Sequence, residues 1–310
     1  MRCAVTGAAG FIGSHLCEEL LGRGHEVRGI DALVPYYAPA VKEQNIAPAL
    51  AHPNFRLHRL DLRTDRLADA LAGVDVVFHL AGMPGLNQSW TDFDGYMTCN
   101  VQATQRLLEA VRSAGGPRLV YASTSSVYGR NACGDETLPT APVSPYGVTK
   151  LAGEQLCRAY ADAFNLPVVV LRYFSVYGPR QRPDMGYFKF VEALRCGEPI
   201  TVFGDGQQVR GNTYVADCVE ATIRAADAPA GETYNVGGGE TASVWDVLRR
   251  LEAIAGRKAQ VRQQPGRPGD QRHTTANTAK IAQHLGWTPR TSLDDGLARQ
   301  WEWQASRAEV

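Results

Sequence analysis

A tyrosine and a lysine four residues apart, Tyr146 and Lys150 in SPYGVTKLAGEQL, are a pair that could do acid–base chemistry. Ser144 suits a helix N-cap and Pro145 the first helical position, so both side chains fall on one helix face. An ammonium beside a phenol lowers the phenol pKa from ~10 toward neutrality, which makes Tyr146 a candidate base. The plain alternative is a surface tyrosine beside a solvated lysine. In YASTSSVYG the hydroxyls of Ser123, Thr124, Ser125 and Ser126 close a predicted strand. One of them could hydrogen-bond a reacting oxygen, although such clusters also form turns.

A second group of residues suits a dinucleotide. Gly7, Gly10 and Gly13 in TGAAGFIG follow a predicted strand and open a predicted helix. Without a Cβ the backbone can turn tightly and approach phosphate oxygens, while the helix N-terminus supplies N–H donors and a favourable dipole. Phe11 and Ile12 lie inside this loop. Asp31 stands 24 residues past Gly7. There a carboxylate can accept from a ribose diol and repel a 2′-phosphate, favouring NAD over NADP; a turn or capping Asp is the alternative. Asp61 and Leu62 either face the adenine or make a plain turn.

The elements that must position these residues alternate. Strands are predicted at Cys3–Thr6, Glu26–Asp31, Phe55–Leu60, Val74–Leu80, Leu119–Ala122 and Pro167–Arg172. Helices are predicted at Ile12–Leu21, Tyr96–Ser113 and Pro145–Phe164, long enough for crossovers on both faces of a parallel sheet. The fold class is therefore α/β, a doubly wound parallel sheet of the Rossmann type with a second, smaller α/β domain. After about Tyr177, Pro and Gly become frequent and the elements are expected to be short and irregular. Residues 1–177 are expected to bind the cofactor and 178–310 the substrate, with returns to the first domain near 212–226 and 233–236. The tail Ser306–Val310 is expected to fray.

Composition narrows the function. The 310 residues carry 32 basic and 32 acidic side chains, so no net charge draws in nucleic acid. With 44% hydrophobic and 21% charged residues, the chain has the make-up of a soluble globular protein. Apolar runs such as Leu166–Leu171 stop well short of the ~18 residues of a membrane span. MRCAVTGAAGFIG lacks the small-residue cleavage pattern of a signal peptide. Seven cysteines without a C-x-x-C pair fit a reducing cytoplasm better than a disulfide framework or a zinc site. The scattered histidines supply no metal-ligand cluster, so no metal is expected.

Together these motifs resemble the extended short-chain dehydrogenase/reductase family, in particular its NAD-dependent nucleotide-sugar epimerases, dehydratases and decarboxylases, from Arg2 to about Trp303. The resemblance implies that Thr124, Tyr146 and Lys150 form the catalytic triad and that Gly7, Gly10, Gly13 and Asp31 hold NAD. It gives Lys150 the nicotinamide ribose as well. HLAG, with Leu80 and Ala81, is similar to a loop lining the cofactor, and His79 within it is expected to be a core residue. The family's 4,6-dehydratases carry Asp-Glu directly after the Thr, and its UDP-glucuronate decarboxylases a Glu at the second position. Here Ser125 and Ser126 stand instead, which implies hydride return and hence epimerisation.

RYFSVYGPRQRPDM resembles the UDP-glucuronate 4-epimerases, with Ser175 and Arg182 matching residues near the hexuronate carboxylate; Ser125 and Ser126 are expected to touch the substrate too, Ser126 at the same carboxylate. A planar guanidinium suits that group. Arg210, Arg267 and Asp270 match positions at the diphosphate and nucleotide ribose, although Gly211 and Asn212 replace the family's usual Asp-Phe. Tyr36, Tyr37 and Lys42, in the loop after Asp31, also fit this group. The implied reaction is 4-epimerisation of a UDP-sugar, UDP-glucuronate to UDP-galacturonate, through a 4-keto intermediate. The alternatives are a UDP-glucuronate decarboxylase, a keto-sugar reductase, or a redox-silent NAD-binding sensor. The family resemblance also implies a homodimer through the helices at Tyr96–Ser113 and Pro145–Phe164.

Overall fold

A computed structural model of the protein describes residues 1–307, so 308–310 of the expected fraying tail lie outside the described residues. β-branched and apolar runs form β1 (Arg2–Thr6), β2 (Glu26–Ile30), β3 (Phe55–His58), β4 (Val76–His79) and β5 (Arg118–Thr124). Between them run α1 (Phe11–Gly22), α2 (Pro39–Leu50), α3 (Ala68–Leu71), α4 (Phe93–Tyr96) and α5 (Ala103–Ser113). β6 (Asn131–Gly134), α6 (Pro145–Phe164), β7 (Val168–Tyr173) and β8 (Val176–Tyr177) follow. The rest comprises α7 (Gly186–Cys196), β9 (Ile200–Phe203), β10 (Val209–Tyr214), α8 (Val215–Arg224), β11 (Thr233–Val236), β12 (Glu240–Ser243) and α9 (Val244–Ala255). The chain ends with β13 (Val261–Gln264), β14 (His273–Ala276), α10 (Ala279–Leu285) and α11 (Leu293–Ala305).

Seven parallel strands form the main sheet in the order β11-β7-β5-β4-β1-β2-β3. Strand order reverses between β1 and β4, and such a switch point opens a crevice at the carboxyl ends of the strands. β1, β4, β5 and β7 are almost wholly buried, because helices cover both faces. A smaller sheet runs β12-β10-β14-β6, with β8 also paired to β10, and β13 pairs with β9. β6 thus leaves the first half of the chain to join β14, while β11 returns from the second half to extend the main sheet beside β7.

The structure corrects three sequence expectations. Tyr96–Ser113 is not one helix: a wide turn of i→i+5 type at Met97–Gln102 interrupts it, and Asn100 inside that turn is buried. The Asn100 amide pairs with both backbone groups of Met83, at 2.7 and 3.0 Å, a tertiary pull invisible to periodicity. Lys42 lies on α2 rather than in a loop; the buried face of that helix reads Lys42, Asn45, Ile46 and Ala49, so half of its helical period is written in polar residues. Beyond Tyr177, α7, α9 and α11 are regular helices of 11, 12 and 13 residues. A Ser243–Asp246 capping box starts α9.

α6 follows its local code. Ser144 Oγ accepts from the Gly147 N–H at 3.1 Å, Pro145 takes the first turn, and Asn165 ends the helix in the left-handed region. Inside the core, Glu154 on α6 takes two hydrogen bonds from Arg172 on β7, at 3.0 and 2.7 Å, and one from Ser123 on β5. Removing one side of this fully buried pair strands the other charge. Arg172→Met should lower unfolding stability by about 3–5 kcal/mol. Urea denaturation of Arg172→Met beside the double variant with Glu154→Leu, which should lose less, checks this.

Candidate active site

The crevice predicted at the switch point is present as one open cleft. Its phosphate end is built by the glycine loop. Gly7 adopts φ +70°, and a Cβ there would meet the Ala81 backbone at 2.8 Å; a Cβ on Gly13 would meet the Gly7 carbonyl at 2.1 Å. Glycine is therefore required to fold the loop onto itself and against β4. Gly10 caps α1 without a side-chain hydrogen bond, leaving the first-turn N–H groups at Phe11, Ile12 and Gly13 facing an anion site. Asp31 lines the same cleft and ties the loop together, accepting from the Ala9 N–H at 3.0 Å and the Leu33 N–H at 2.8 Å. This cradle and the adjacent carboxylate fit a dinucleotide.

At the far end Asp61, Leu62, Arg63 and Cys99 line the wall. Arg63 grips both Asp61 oxygens at 2.7–3.1 Å and holds that carboxyl below its usual range. Leu80 and Ala81 form the floor, pinned from below by a buried proton chain. Thr6 Oγ1 accepts from the Ala81 N–H and lies 2.7 Å from His79 Nδ1. Thr104 donates to the Asn100 carbonyl, so it accepts from His79 Nε2–H at 3.0 Å. Burial pushes the His79 pKa down to about 3, so it is a neutral core residue, and with its proton on Nε2 the Nδ1 accepts from the Thr6 hydroxyl.

Tyr146, Lys150 and Arg182 line the central part of the cleft together with Ser123 and Tyr173. Thr124 ends β5, and its hydroxyl acts on the Tyr146 phenol, favouring the ionised form. Tyr96 packs edge-on against the Tyr146 ring, with centroids 6.2 Å apart. Asn100 Nδ2 donates to Thr149 Oγ1 at 3.0 Å and Thr149 Oγ1 donates to the Tyr146 carbonyl at 2.9 Å, fixing this turn of α6 against α4 and the following wide turn.

The electrostatics overturn one expectation. Without ligands the phenol is raised rather than lowered: burial dominates, while the Thr124 hydroxyl and the Arg182 charge only partly offset it. Lys150 does not act on the phenol in this arrangement: its Nζ sits 4.2 Å over the Tyr121 ring, and burial pushes its own pKa down to about 8, which leaves it a cation at neutral pH.

Of the remaining predicted residues, Ser125 and Ser126 are buried in the turn after β5, where the Ser126 N–H donates to Thr124 Oγ1 at 3.2 Å. Ser175 follows β7 with φ +27°, a left-handed conformation that costs a serine energy and is common at ligand sites. Arg210, Arg267 and Asp270 gather away from the cleft lining: Arg267 lies 3.9 Å over the Phe203 ring and 3.5 Å from Asp270, whose charge also acts on Arg210. Asn212, at one of the positions that depart from the family pattern, accepts from the Tyr187 phenol and donates to the Arg210 carbonyl at 3.0 Å. Sequence reasoning missed Arg63, Cys99, Asn100 and Asp184; Glu154 had a usable signal, sitting eight residues past Tyr146 on the same face of α6. Among the described residues, no three His, Cys, Asp or Glu side chains gather as a metal site requires.

A parallel doubly wound sheet with a glycine cradle at its switch point defines a dinucleotide-binding α/β protein. The sequence model of the NAD dependent epimerase/dehydratase family matches residues 3–237, and the chain belongs to that family. It is 46% identical to an uncharacterized UDP-glucose epimerase of Bacillus subtilis, YtcB, over 97% of this chain and 96% of that protein. It is 34% identical to the UDP-glucuronate 4-epimerase of Thermodesulfobacterium geofontis, over 99% and 97% of the two chains. The crystal structure of the UDP-glucuronic acid 4-epimerase of Bacillus cereus, in complex with UDP-glucuronic acid and NAD, superposes with a TM-score of 0.95 at 42% identity, covering 98% of each chain.

Two outcomes follow from the site. Gly13→Ala should weaken NAD binding on the order of 100-fold, measured by fluorescence titration, since its Cβ cannot fit the cradle. A lysine whose pKa falls from 10.5 to about 8 on folding costs stability most fully below pH 8, and that cost fades as pH rises to the unfolded value. Lys150→Met should therefore melt above the wild type at pH 6.5, with the gap closing between pH 8 and 10.5.

Proposed function

We propose that this enzyme is an NAD-dependent UDP-sugar 4-epimerase and that its sugar is UDP-glucuronate, converted to UDP-galacturonate through a 4-keto intermediate. The observation that carries the reading is the single cleft in which Tyr146, Lys150 and Arg182 stand beside the glycine cradle. NAD, when bound, supplies a hydride acceptor that returns the hydride to the sugar. Gly7, Gly10, Phe11, Ile12 and Gly13 would hold its diphosphate, Asp31 its adenosine ribose, and Asp61, Leu62, Leu80 and Ala81 the adenine and nicotinamide flanks.

Tyr146 would exchange the proton of the 4-hydroxyl, and Thr124, whose hydroxyl acts on the phenol, would orient that oxygen. Burial keeps the resting phenol protonated, so the base form depends on positive charge at the cleft, where Lys150 and Arg182 are the protein's cations. Ser125, Ser126, Ser175 and Arg182 would hold the carboxylate of the uronate. A 4-keto uronate is a β-keto acid, and a fixed carboxylate is kept from the alignment that expels CO2. Arg210, Arg267 and Asp270 would take the diphosphate and nucleotide ribose. No carboxylate follows Thr124 that could divert the ketone toward elimination.

Residues 1–177 with 212–226 and 233–236 would form the cofactor part, and the remainder the sugar-nucleotide part. Exposed Phe93 and Met97 on the α4 side and Val148 on α6 give an apolar face suited to a homodimer through these helices. A cytoplasmic location suits the seven unpaired thiols. The name of the Bacillus subtilis relative favours a second reading, with UDP-glucose as substrate.

Incubation with UDP-glucuronate should yield UDP-galacturonate without CO2 or net NADH, followed by chromatography and NMR. Tyr146→Phe should reduce conversion at least ~1000-fold while retaining NAD. Substantial turnover by that variant, or conversion of UDP-glucose alone, would reject the assignment.

A further inference from the structure

Arg182 is already engaged within the protein. Asp184, two residues on, accepts from its Nε at 3.0 Å and its Nη2 at 3.1 Å, a bidentate pairing that uses one edge of the guanidinium. Asp184 is itself held from across the cleft: the Tyr36 phenol, in the loop between β2 and α2, donates to its Oδ2 at 3.2 Å. Tyr36 keeps that proton, since burial and the Asp184 charge push its pKa up to about 12. Its hydroxyl also presses on the backbone after β4, where a Cβ at Gly85 would come within 2.5 Å of it. Gly85 has φ +91° and supplies the space. Three loops at the carboxyl edge of the sheet thus meet at one carboxylate.

A guanidinium has two edges that can each take a carboxylate side-on: Nε with one terminal nitrogen, and the two terminal nitrogens together. Asp184 occupies the first. Nη1 makes no hydrogen bond to the protein among the described residues, and Arg182 lines the cleft with Tyr146, whose phenol feels its charge. An arginine free on both edges would lose more side-chain entropy on gripping a ligand and could rotate its fork away from the reacting sugar.

We propose that Asp184, braced by Tyr36, is the positioning residue that makes Arg182 specific for a carboxylate at carbon 6, fixing one edge of the guanidinium so that the Nη1–Nη2 edge faces the sugar. This rests on the UDP-glucuronate reading above. It gives the acid in RPDM a task distinct from proton transfer: it sets an angle.

Steady-state kinetics with UDP-glucuronate, and inhibition of that reaction by UDP-xylose, which has no carbon 6, separate this role from a general structural one. In Asp184→Ala the KM for UDP-glucuronate should rise about tenfold, the Ki of UDP-xylose should change far less, and CO2 should appear as a side product of a loosely held carboxylate. Tyr36→Phe should show the same pattern more weakly, and Asp184→Glu should recover part of the loss. A fall in KM would mean that Asp184 merely competes with the substrate for Arg182 and would overturn the proposal. Equal losses for UDP-glucuronate and UDP-xylose would overturn it as well, by assigning the residue to the scaffold. If the wild type does not convert UDP-glucuronate at all, the functional reading falls and takes this inference with it; if it does and the variants show no split, only the inference falls.

Discussion

Two opposite charges with almost no access to water, Glu154 and Arg172, join the helix that carries Tyr146 to the sheet that carries the glycine loop. Desolvating such ions costs several kcal/mol each, and the pair is tolerable only because its remaining valences are filled. Ser123 bonds the carboxylate, and Tyr128 bonds the guanidinium at 2.8 Å while stacking against it. Tyr128 then reaches Asn235 on β11 at 2.8 Å, and the Asn235 backbone N–H reaches Glu136 at 2.7 Å. One polar chain therefore crosses β5, α6, β7 and β11. An apolar contact there would let α6 slide by a fraction of a turn at little cost. A bidentate ion pair has one good geometry, and Lys150 and Tyr146 stand four and eight residues before it on the same helix.

The cleft above this anchor is built against charge. Burial raises the phenol of Tyr146 and lowers the ammonium of Lys150, so the two groups part in proton affinity and the lysine gives up its proton before the phenol does. Environments that push two titratable groups apart in this way give each a distinct protonation state, here a protonated phenol near a lysine that is still a cation at neutral pH. Arg182 keeps its full charge through Asp184. The site thus sets a neutral phenol beside two cations, Lys150 and Arg182.

How much of this could be read in the chain depended on whether the cause was local. The Ser144–Pro145 start of α6, the spacing of Tyr146 and Lys150, and the three glycines after β1 are determined by capping, helical periodicity and the absence of a Cβ, all properties of a few adjacent residues. α2 escaped detection because Lys42 and Asn45 occupy buried positions whose partners, Val34 and Ala9, are tertiary neighbours. The wide turn at Asn100 depends on Met83 and Thr149, which no window around Asn100 contains. The charge state of Tyr146 went the other way from its sequence reading because a pair of residues on a helix face says nothing of how deeply that face will be buried. Asp184 was visible in RPDM, but its link to Tyr36 spans 148 positions.

The return of β11 to the edge of the main sheet has a consequence for synthesis. β7 cannot complete its outer row of hydrogen bonds until Thr233–Val236 has been translated and has left the ribosome, more than 60 residues after β7 itself. Until then β7 presents a bare, apolar border, the kind of surface that recruits stray strands or chaperones. The nascent chain must therefore carry an unfinished sheet through the making of α7, β9, β10 and α8, and completion of the main sheet waits on these later elements.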